Sequence, residues 1–516
     1  MKRFLKGLGF LLGLLLLIIL AGCTQSFQTT SQENSENFPD AVSIDLNKIT
    51  DIEKGQLAIN LPEYDVSTIF SSTFSKPIQY SSLSGNVKLI REDNNSSEEI
   101  EIYLSSDRKT IYIKPIFRFI AGNNEVYMKG LKPGLTYKIV ISPYIRFDDN
   151  STLGIEKVFR FQTKNLDYGI YWFSPDGKAE KFVPGRANAY FNPSKPSVIY
   201  LHGWEKDTTI RDYFREDPYF LITKTIKNVN TGQFWTNKNY NIGVFYWNQF
   251  ADEGEVKDAE AKIWTYAGPK GMRYRLSNGN YVNLNVSKSV SDLAFECFSQ
   301  NFRSYSGSEI RIAGHSLGNQ LATVLTWKIH KAIESGTLPS SVMPKRLVLL
   351  DPFWSKGEKS YLGNKWTGEV ARQYVKELIS TRRIAVEMYK SSMIGGILVG
   401  DENEEMKGMV AFYRLWADFI PTTDQAEQHG YAVSWYFWSM AGAVNGDTYK
   451  FGAAVDSNTI KSMMNWDWAN NRPVSSSSRR MWYTEGRGNT TPTPLDDYFK
   501  VKSGVSTWSE DDVVSR

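Results

Sequence analysis

The chain has few cysteines, few histidines and almost no net charge, and each shortage excludes a class of protein. It contains 2 Cys in 516 residues, so no disulfide framework stabilises it. Its 4 His are scattered without the i, i+3 or i+4 spacing of metal ligands. Basic and acidic residues number 60 and 56. Because no basic block lies beyond the N-terminus, we predict no nucleic-acid partner. We also predict neither a metal nor another cofactor.

The first 22 residues have the pattern of an export signal. Three basic residues precede an uncharged, largely apolar stretch at 7–22. This stretch is shorter than the roughly 20 residues of a spanning helix, which favours a secretory signal. The segment Leu20–Cys23 resembles a bacterial lipoprotein lipobox. The resemblance implies lipidation of Cys23, with the mature protein anchored in the bacterial cell envelope outside the cytoplasm. Thr24 after Cys23 implies the outer membrane if the cell is Gram-negative.

Residues 23–55 and 56–164 differ sharply in composition. The first stretch is rich in polar residues and predicts a disordered tether. The second consists of short apolar runs separated by polar turns, which predicts a β-sandwich. The order of its segments resembles the bacterial SbsA-type Ig-like domain. The segments that carry this resemblance are Phe74–Ile78, Gly134–Tyr137 and Phe159–Thr163.

From residue 165 to 516 strand-like and helix-like runs alternate. This rhythm predicts an α/β fold with a mostly parallel central sheet. A helical stretch at 319–333 lies between two of the apolar runs, and Asn278-Gly279 predicts a hairpin within 272–286. The predicted strands are 197–201, 242–247, 310–313 and 346–350.

One G-x-S-x-G element, Gly314–Gly318, lies between a predicted strand and a predicted helix. This is the context of a nucleophile elbow, in which a serine on a strained turn points into a cleft. Larger side chains at either glycine would collide within the turn. The helix that follows directs N–H groups at developing negative charge. We therefore predict Ser316 as a nucleophile.

A serine nucleophile needs a base, and elimination among the four histidines selects one. His315 lies inside the elbow and is expected to point away from Ser316. His330 lies on the following helix, roughly 20 Å further along. His202 directly follows an apolar strand and is expected to shape a loop. His429 remains, and it fits the chain order of serine, acid and histidine.

The acid that orients this histidine is predicted to be Asp351. It ends the strand 346–350, which places it at the C-terminal edge of the sheet, where catalytic groups collect. There it would fix the tautomer of His429 and stabilise its imidazolium form. Many such enzymes place the acid one strand later. Three further carboxylates are therefore alternatives: Glu387, Asp401 and Asp424.

The oxyanion hole of such an enzyme requires two backbone N–H groups. One is expected from Leu317, directly after the nucleophile. The other is expected from the loop His202–Trp204, which follows an early strand. Gly203 would allow close approach of this backbone, and the N–H of Trp204 would be the donor.

Taken together, residues 168–440 resemble the pancreatic-lipase family of α/β hydrolases. The resemblance implies an α/β-hydrolase fold and supports Asp351, because the family uses a Leu-Asp-Pro element for its acid. The family's paired cysteines and its C-terminal lipid-binding sandwich have no counterpart here, and the hairpin at 272–286 is an insertion. The segments that carry the resemblance are Tyr200–Trp204, Val244–Trp247, Gly314–Gly318, Leu350–Pro352 and His429 with the aromatic run 431–438.

The sequence therefore predicts a lipid-anchored serine hydrolase that cleaves carboxylic esters. Its expected substrates are lipids, as for a triacylglycerol lipase or phospholipase A1. The alternative is a surface binding protein that carries a hydrolase scaffold without turnover. We also expect apolar segments between Asp351 and His429 to cap the cleft, as lids do. Those segments are 388–389, 393–399 and 409–416.

Overall fold

A computed structural model describes most of the chain and divides it into two compact units. The first unit comprises 1–61, 68–115 and 136–161, and the second comprises 62–67, 116–135 and 162–516. The predicted signal, Cys23 and most of the predicted tether lie outside the described residues. Within the described residues, no helix is long and apolar enough to cross a membrane. The structure describes residues 30–32, 38–44, 61–122, 125–211, 216, 230–394, 400–415, 420–441, 452–479, 481–484 and 501–505.

The described part of the first unit is built from β-strands in two sheets. One sheet has the order β1-β7-β8-β4-β2, and the other contains β12-β11-β5-β6. The rings of Phe70 and Phe161 meet 4.7 Å apart between the sheets. The predicted strand at 56–61 lies outside the described residues except for its last position. Numbered along the whole chain, these strands are β1 (Thr30–Gln32), β2 (Val42–Ser43), β4 (Phe70–Thr73), β5 (Val87–Arg91), β6 (Ser97–Glu98), β7 (Ile100–Leu104), β8 (Thr110–Pro115), β11 (Thr136–Ile141) and β12 (Lys157–Thr163).

A mixed sheet of twelve described strands organises the second unit. Its order is β10-β9-β14-β13-β16-β15-β19-β20-β21-β22-β25-β26. Two two-stranded sheets, β17-β18 and β23-β24, accompany it, and β3 pairs with Gln162 and Thr163. The strands are β3 (Glu63–Tyr64), β9 (Phe117–Gly122), β10 (Glu125–Lys129), β13 (Gly169–Phe173), β14 (Lys178–Lys181), β15 (Ser197–Leu201), β16 (Asn241–Tyr246), β17 (Arg273–Arg275), β18 (Tyr281–Asn283), β19 (Ile310–His315), β20 (Arg346–Leu350), β21 (Ala385–Lys390), β22 (Ala411–Arg414), β23 (Trp466–Asp467), β24 (Arg472–Pro473), β25 (Met481–Thr484) and β26 (Val501–Val505).

Helices connect the strands of the large sheet. The longest, α5, directly follows β19, and Asp424 caps the N-terminus of α8 by accepting from the Glu427 N–H. The described helices are α1 (Thr231–Asn237), α2 (Asn248–Ala251), α3 (Val256–Trp264), α4 (Val290–Asn301), α5 (Gly318–Glu334), α6 (Thr367–Arg382), α7 (Glu404–Lys407), α8 (Gln425–Ser439) and α9 (Ser457–Met463).

The centre of the large sheet is parallel, as the alternation of strand-like and helix-like runs predicted. Neighbouring strands from β16 through β15, β19, β20, β21 and β22 to β25 all pair in parallel. Every residue of β15, β19, β20 and β21 is buried. Strands covered on both faces appear in sequence as unbroken apolar runs. The flanking strands are antiparallel, so the sheet as a whole is mixed.

One hairpin differs from the domain boundary expected at residue 164. The hairpin of β9 and β10 belongs to the second unit, where β9 pairs with β14. Its aromatic side chains explain this placement. Phe117 contacts Tyr171 with ring centroids 5.3 Å apart, and Phe119 stacks on Phe173 at 5.2 Å. The hairpin therefore extends the large sheet and packs against its side chains.

The expected cap over the cleft is wrong for two of its three segments. Residues 388–389 lie within β21, and 411–414 form β22. Met388, Tyr389 and Phe412 are buried in the core of the sheet. An apolar run reads the same in a central strand and in a lid, which is why sequence alone misassigned them. Most of the third segment, 395–399, lies outside the described residues.

Candidate active site

The register of four parallel strands brings the predicted site residues to one edge of the sheet. Leu201 pairs with Gly314, and Leu350 pairs with both His315 and Tyr389. The residues that follow these pairs leave the sheet together. They lie outside the carboxyl ends of the strands, where α/β proteins bind ligands.

The turn that carries Ser316 has the strained geometry expected of an elbow. Ser316 has a φ of 52° and stands between β19 and α5. A Cβ on Gly314 would lie 2.4 Å from the Gly318 carbonyl oxygen. A Cβ on Gly318 would lie 2.2 Å from the Leu201 oxygen. Both contacts involve rigid backbone, so only glycine fits at either position. Ser316 keeps this strained backbone conformation because the closely packed backbone around the turn excludes other conformations.

His429 and Asp351 form a direct pair beside this turn. His429 Nδ1 lies 2.5 Å from Asp351 Oδ2. Asp351 is fully buried, whereas the His429 side chain is 16% exposed. The ring of His315, the residue before Ser316, lies 4.5 Å from the His429 ring. The Phe353 N–H donates to the backbone carbonyl oxygen of Ser316 at 3.1 Å, which joins the segment after Asp351 to the elbow.

Asp351 is held as an anion by several donors. The N–H groups of Ser391 and Ser392 donate to its Oδ1, and the Ser392 hydroxyl donates to its Oδ2. The Lys390 ammonium lies 3.1 Å from Oδ1. Burial alone would raise the pKa of Asp351, but His429, Lys390 and Ser392 together hold it well below its usual range. The sequence reasoning did not select Lys390 or Ser392. The available signal was their position at the carboxyl end of β21, since Lys390 is its last residue and Ser392 lies two residues further on, at the same sheet edge.

The surroundings of His429 favour its neutral form. Burial lowers the pKa of His429, the nearby His315 lowers it further, and Asp351 only partly opposes them. A neutral imidazole with Nδ1–H donating to a carboxylate exposes a lone pair on Nε2. The nitrogen that faces away from Asp351 is therefore able to accept a proton.

The alternative carboxylates have other partners. Glu387 points into the core, where both of its oxygens accept from the guanidinium of Arg346, and both side chains are fully buried. Asp401 accepts from the Asn403 N–H, and Asp424 caps α8. None of these contacts involves His429.

The loop His202–Trp204 lies against the nucleophile. A Cβ on Gly203 would stand 2.9 Å from the Ser316 Cβ, so the glycine permits this approach. His202 is buried and shapes the loop, since its Nδ1 lies 3.0 Å from the Gly203 oxygen. The Trp204 indole donates to the Glu253 oxygen at 2.8 Å. Leu317 occupies the N-cap of α5, where the first N–H groups lack intrahelical partners.

The predicted hairpin, β17 and β18, braces the segment that follows this loop. Arg275 donates to Asp207 at 2.6 Å and to Asp252 at 2.8 Å. Asp252 in turn accepts from the N–H groups of Asp207 and Thr209. The hairpin is thus tied to the chain that leads away from Trp204.

A different cluster has the geometry of metal ligands, away from the edge just described. His330, Glu334 and Glu377 place potential ligand atoms within 4.8 Å of one another. Arg382 donates to His330 Nδ1 at 2.8 Å, which leaves the proton on Nε2, facing Glu377 at 3.2 Å. Lys331 also contacts both carboxylates. These cations already neutralise the cluster, so it is an ion-pair network on α5 and α6.

Comparisons with known proteins give only distant likenesses. No family model and no curated protein matches the chain. A thermostable esterase is 14% identical over 72% of this chain and 93% of its own, with a TM-score of 0.26. A hyperthermophilic esterase from Pyrobaculum calidifontis is 11% identical over 60% of this chain and 80% of its own, with a TM-score of 0.25. An acylaminoacyl peptidase from Pyrococcus horikoshii is 9% identical over 76% and 64%, with a TM-score of 0.27. Likenesses this weak define neither fold nor function.

Proposed function

We propose that the chain is a serine hydrolase in which Ser316, His429 and Asp351 act as a catalytic triad. The observation that carries the proposal is the direct His429–Asp351 contact at the sheet edge where the strained Ser316 turn begins. A carboxylate that fixes Nδ1–H leaves Nε2 free as a general base. Two observations support the same assignment: the backbone packing that admits only glycine on either side of Ser316, and the neutral state favoured for His429.

In the proposed reaction, Ser316 Oγ attacks a carbonyl carbon while His429 Nε2 takes its proton. The Leu317 and Trp204 N–H groups stabilise the resulting oxyanion. His429 then protonates the leaving alcohol, the carbon–oxygen bond breaks, and an acyl-enzyme remains on Ser316. Water, deprotonated by the same histidine, releases the acid and restores the serine. Asp351 stays ionised throughout and stabilises the imidazolium form of His429.

We further propose that the substrates are carboxylic esters of lipids, cleaved in the manner of a triacylglycerol lipase or phospholipase A1. Two apolar side chains beside the site support this proposal. Trp204 follows Gly203 and is 36% exposed, and Met393 follows Ser392 and is 52% exposed. Lipidation at Cys23 would hold the enzyme in the bacterial envelope, outside the cytoplasm and beside lipid substrate. In a Gram-negative cell this would be the outer membrane.

A fluorophosphonate probe tests the reaction class directly. Protein that begins at residue 24 should be labelled and should release p-nitrophenol from short and medium acyl esters, whereas Ser316→Ala should do neither. Circular dichroism and thermal unfolding should show that both proteins are folded. A folded wild-type protein that resists the probe would refute the serine-hydrolase proposal. Fatty-acid release from phospholipid vesicles compared with triglyceride emulsions then distinguishes the two lipid activities.

A further inference from the structure

A second histidine–carboxylate pair lies behind the first, and the proposed reaction does not use it. His315 Nδ1 lies 2.7 Å from Glu216 Oε1, and both side chains are largely buried. The Nε2 of the same ring lies 3.2 Å from the backbone oxygen of His429. Glu216 also accepts from the Tyr200 hydroxyl at 2.6 Å and from the Gly203 N–H at 3.3 Å. The pair therefore contacts both the loop His202–Trp204, called the oxyanion loop below, and the backbone of His429.

The partners of His315 determine its protonation. A carboxylate oxygen 2.7 Å from Nδ1 and a carbonyl oxygen 3.2 Å from Nε2 would each repel a nitrogen lone pair, so both ring nitrogens are expected to carry a proton. His315 is then an imidazolium ion, neutralised by Glu216. The pKa values agree in direction. Burial lowers the pKa of His315, but Glu216 raises it above the ordinary value. Burial raises the pKa of Glu216, but His315 brings it to about 2.

We propose that Glu216 and His315 are positioning residues that connect the oxyanion loop to the backbone of the catalytic base. Glu216 fixes the Gly203 N–H, and with it the direction of the following peptide of Trp204. His315 extends this anchor to the His429 carbonyl. The nucleophile turn is connected to this anchor through the chain, since Ser316 directly follows His315. This inference rests on the proposed function, because it assigns roles within the same site.

The charge of His315 has a second consequence for His429. An imidazolium ring 4.5 Å away opposes a second positive charge on the base. Asp351, which follows β20, and Lys390, at the end of β21, are charged groups near His429. Arg414 of β22 donates to the backbone oxygen of Ser392, and Glu427 lies on the same helix as His429. Loss of the His315 charge leaves Glu216 uncompensated, so the pKa of His429 should rise.

Two substitutions separate the two contacts of His315. In His315→Asn the amide occupies the place of Nδ1 and retains only the contact with Glu216. In His315→Gln the amide occupies the place of Nε2 and retains only the contact with His429. Each variant should lower kcat by about 10- to 100-fold with little change in KM, since a displaced catalytic group costs about this much. The acid limb of the kcat/KM profile should move up by about 0.7 pH unit or more in both.

His330→Gln is the matched control, because it replaces another buried histidine of the same unit that is engaged only with the α5–α6 ion pairs. It should leave kcat and the pH profile unchanged. Wild-type kcat and an unmoved acid limb in both His315 variants would overturn the inference, while probe labelling of the wild type would still support the proposed function. Thermal unfolding of each variant identifies any general loss of structure.

Nitrogen-15 NMR of the four imidazoles gives a readout that does not depend on turnover. His315, assigned from the spectrum of His315→Gln, should show two protonated nitrogens at pH 7.5, whereas His429 should be neutral. Glu216→Gln should return His315 to a neutral tautomer at this pH, and it serves if the His315 variants do not fold. A neutral His315 in the wild-type protein would refute the inference whether or not the protein hydrolyses esters.

Discussion

Asp351→Asn tests the acid assignment most directly, because it keeps the side-chain size while it removes the charge and replaces one acceptor oxygen by a donor. The amide oxygen can still accept from the Ser391 and Ser392 N–H groups, which leaves the NH₂ group facing His429 Nδ1. Two donors cannot share that contact, so the imidazole proton must move to Nε2, where it blocks transfer from Ser316. By analogy with other triads, kcat should fall by about 10⁴-fold, equivalent to about 5.5 kcal/mol of activation free energy.

The same change should also cost stability. The Lys390 ammonium is buried and loses the carboxylate 3.1 Å away, so the free energy of unfolding should fall by about 3 kcal/mol. The assay is steady-state hydrolysis of a p-nitrophenyl ester at pH 8, with urea unfolding on the same preparations. Asp424→Asn is the matched control, because asparagine caps a helix about as well as aspartate. If folded Asp351→Asn retained more than a tenth of the wild-type kcat, the acid would lie elsewhere.

Three further changes have distinct expected outcomes. Gly203→Ala should lower kcat by about 10²-fold because its methyl group would stand 2.9 Å from the Ser316 Cβ, and unchanged kinetics would show that the loop yields freely. Lys390→Met removes a cation that lowers the pKa of His429, so the acid limb of kcat/KM should move to higher pH from a wild-type midpoint below 6.5. Glu387→Gln breaks the buried pair with Arg346 and should cost about 3–5 kcal/mol in urea unfolding while the folded protein keeps its kcat within tenfold.

The strands nearest the site were the easiest to predict. The expected runs at 197–201 and 346–350 coincide with β15 and β20, because a strand buried on both faces has no polar alternation to blur its ends. The same lack of polar alternation left the apolar run at 409–416 without any indication that its centre was a strand. The sequence of β9 did not indicate which of the two units this strand belongs to. Both placements depend on strand partners that are distant in sequence.

Local sequence identified more of the reacting groups than of the residues that hold them in place. The elbow is a local motif, so it could be recognised from the element 314–318 together with the predicted strand before it and the predicted helix after it. Asp351 and His429 required chain order and the rule that ligands gather at the carboxyl edge of the sheet. Glu216 and Lys390 belong to no motif, and their contacts with His315 and Asp351 became evident only from the three-dimensional structure. The charges that tune a site are therefore harder to predict than the groups that react.

The charges around the site also suit the proposed location of the protein. Asp351 contacts His429, two backbone N–H groups and the Ser392 hydroxyl, and Lys390 and the proposed His315 cation both lower the pKa of His429. They make His429 a weaker base, but one that stays neutral in mildly acidic surroundings. Anionic lipids concentrate protons at a membrane surface, so the local pH is lower there than in the surrounding solution. For an enzyme tethered beside such a surface, as proposed here, a base with an ordinary pKa would be partly protonated. A lowered pKa keeps more of the enzyme in its active form.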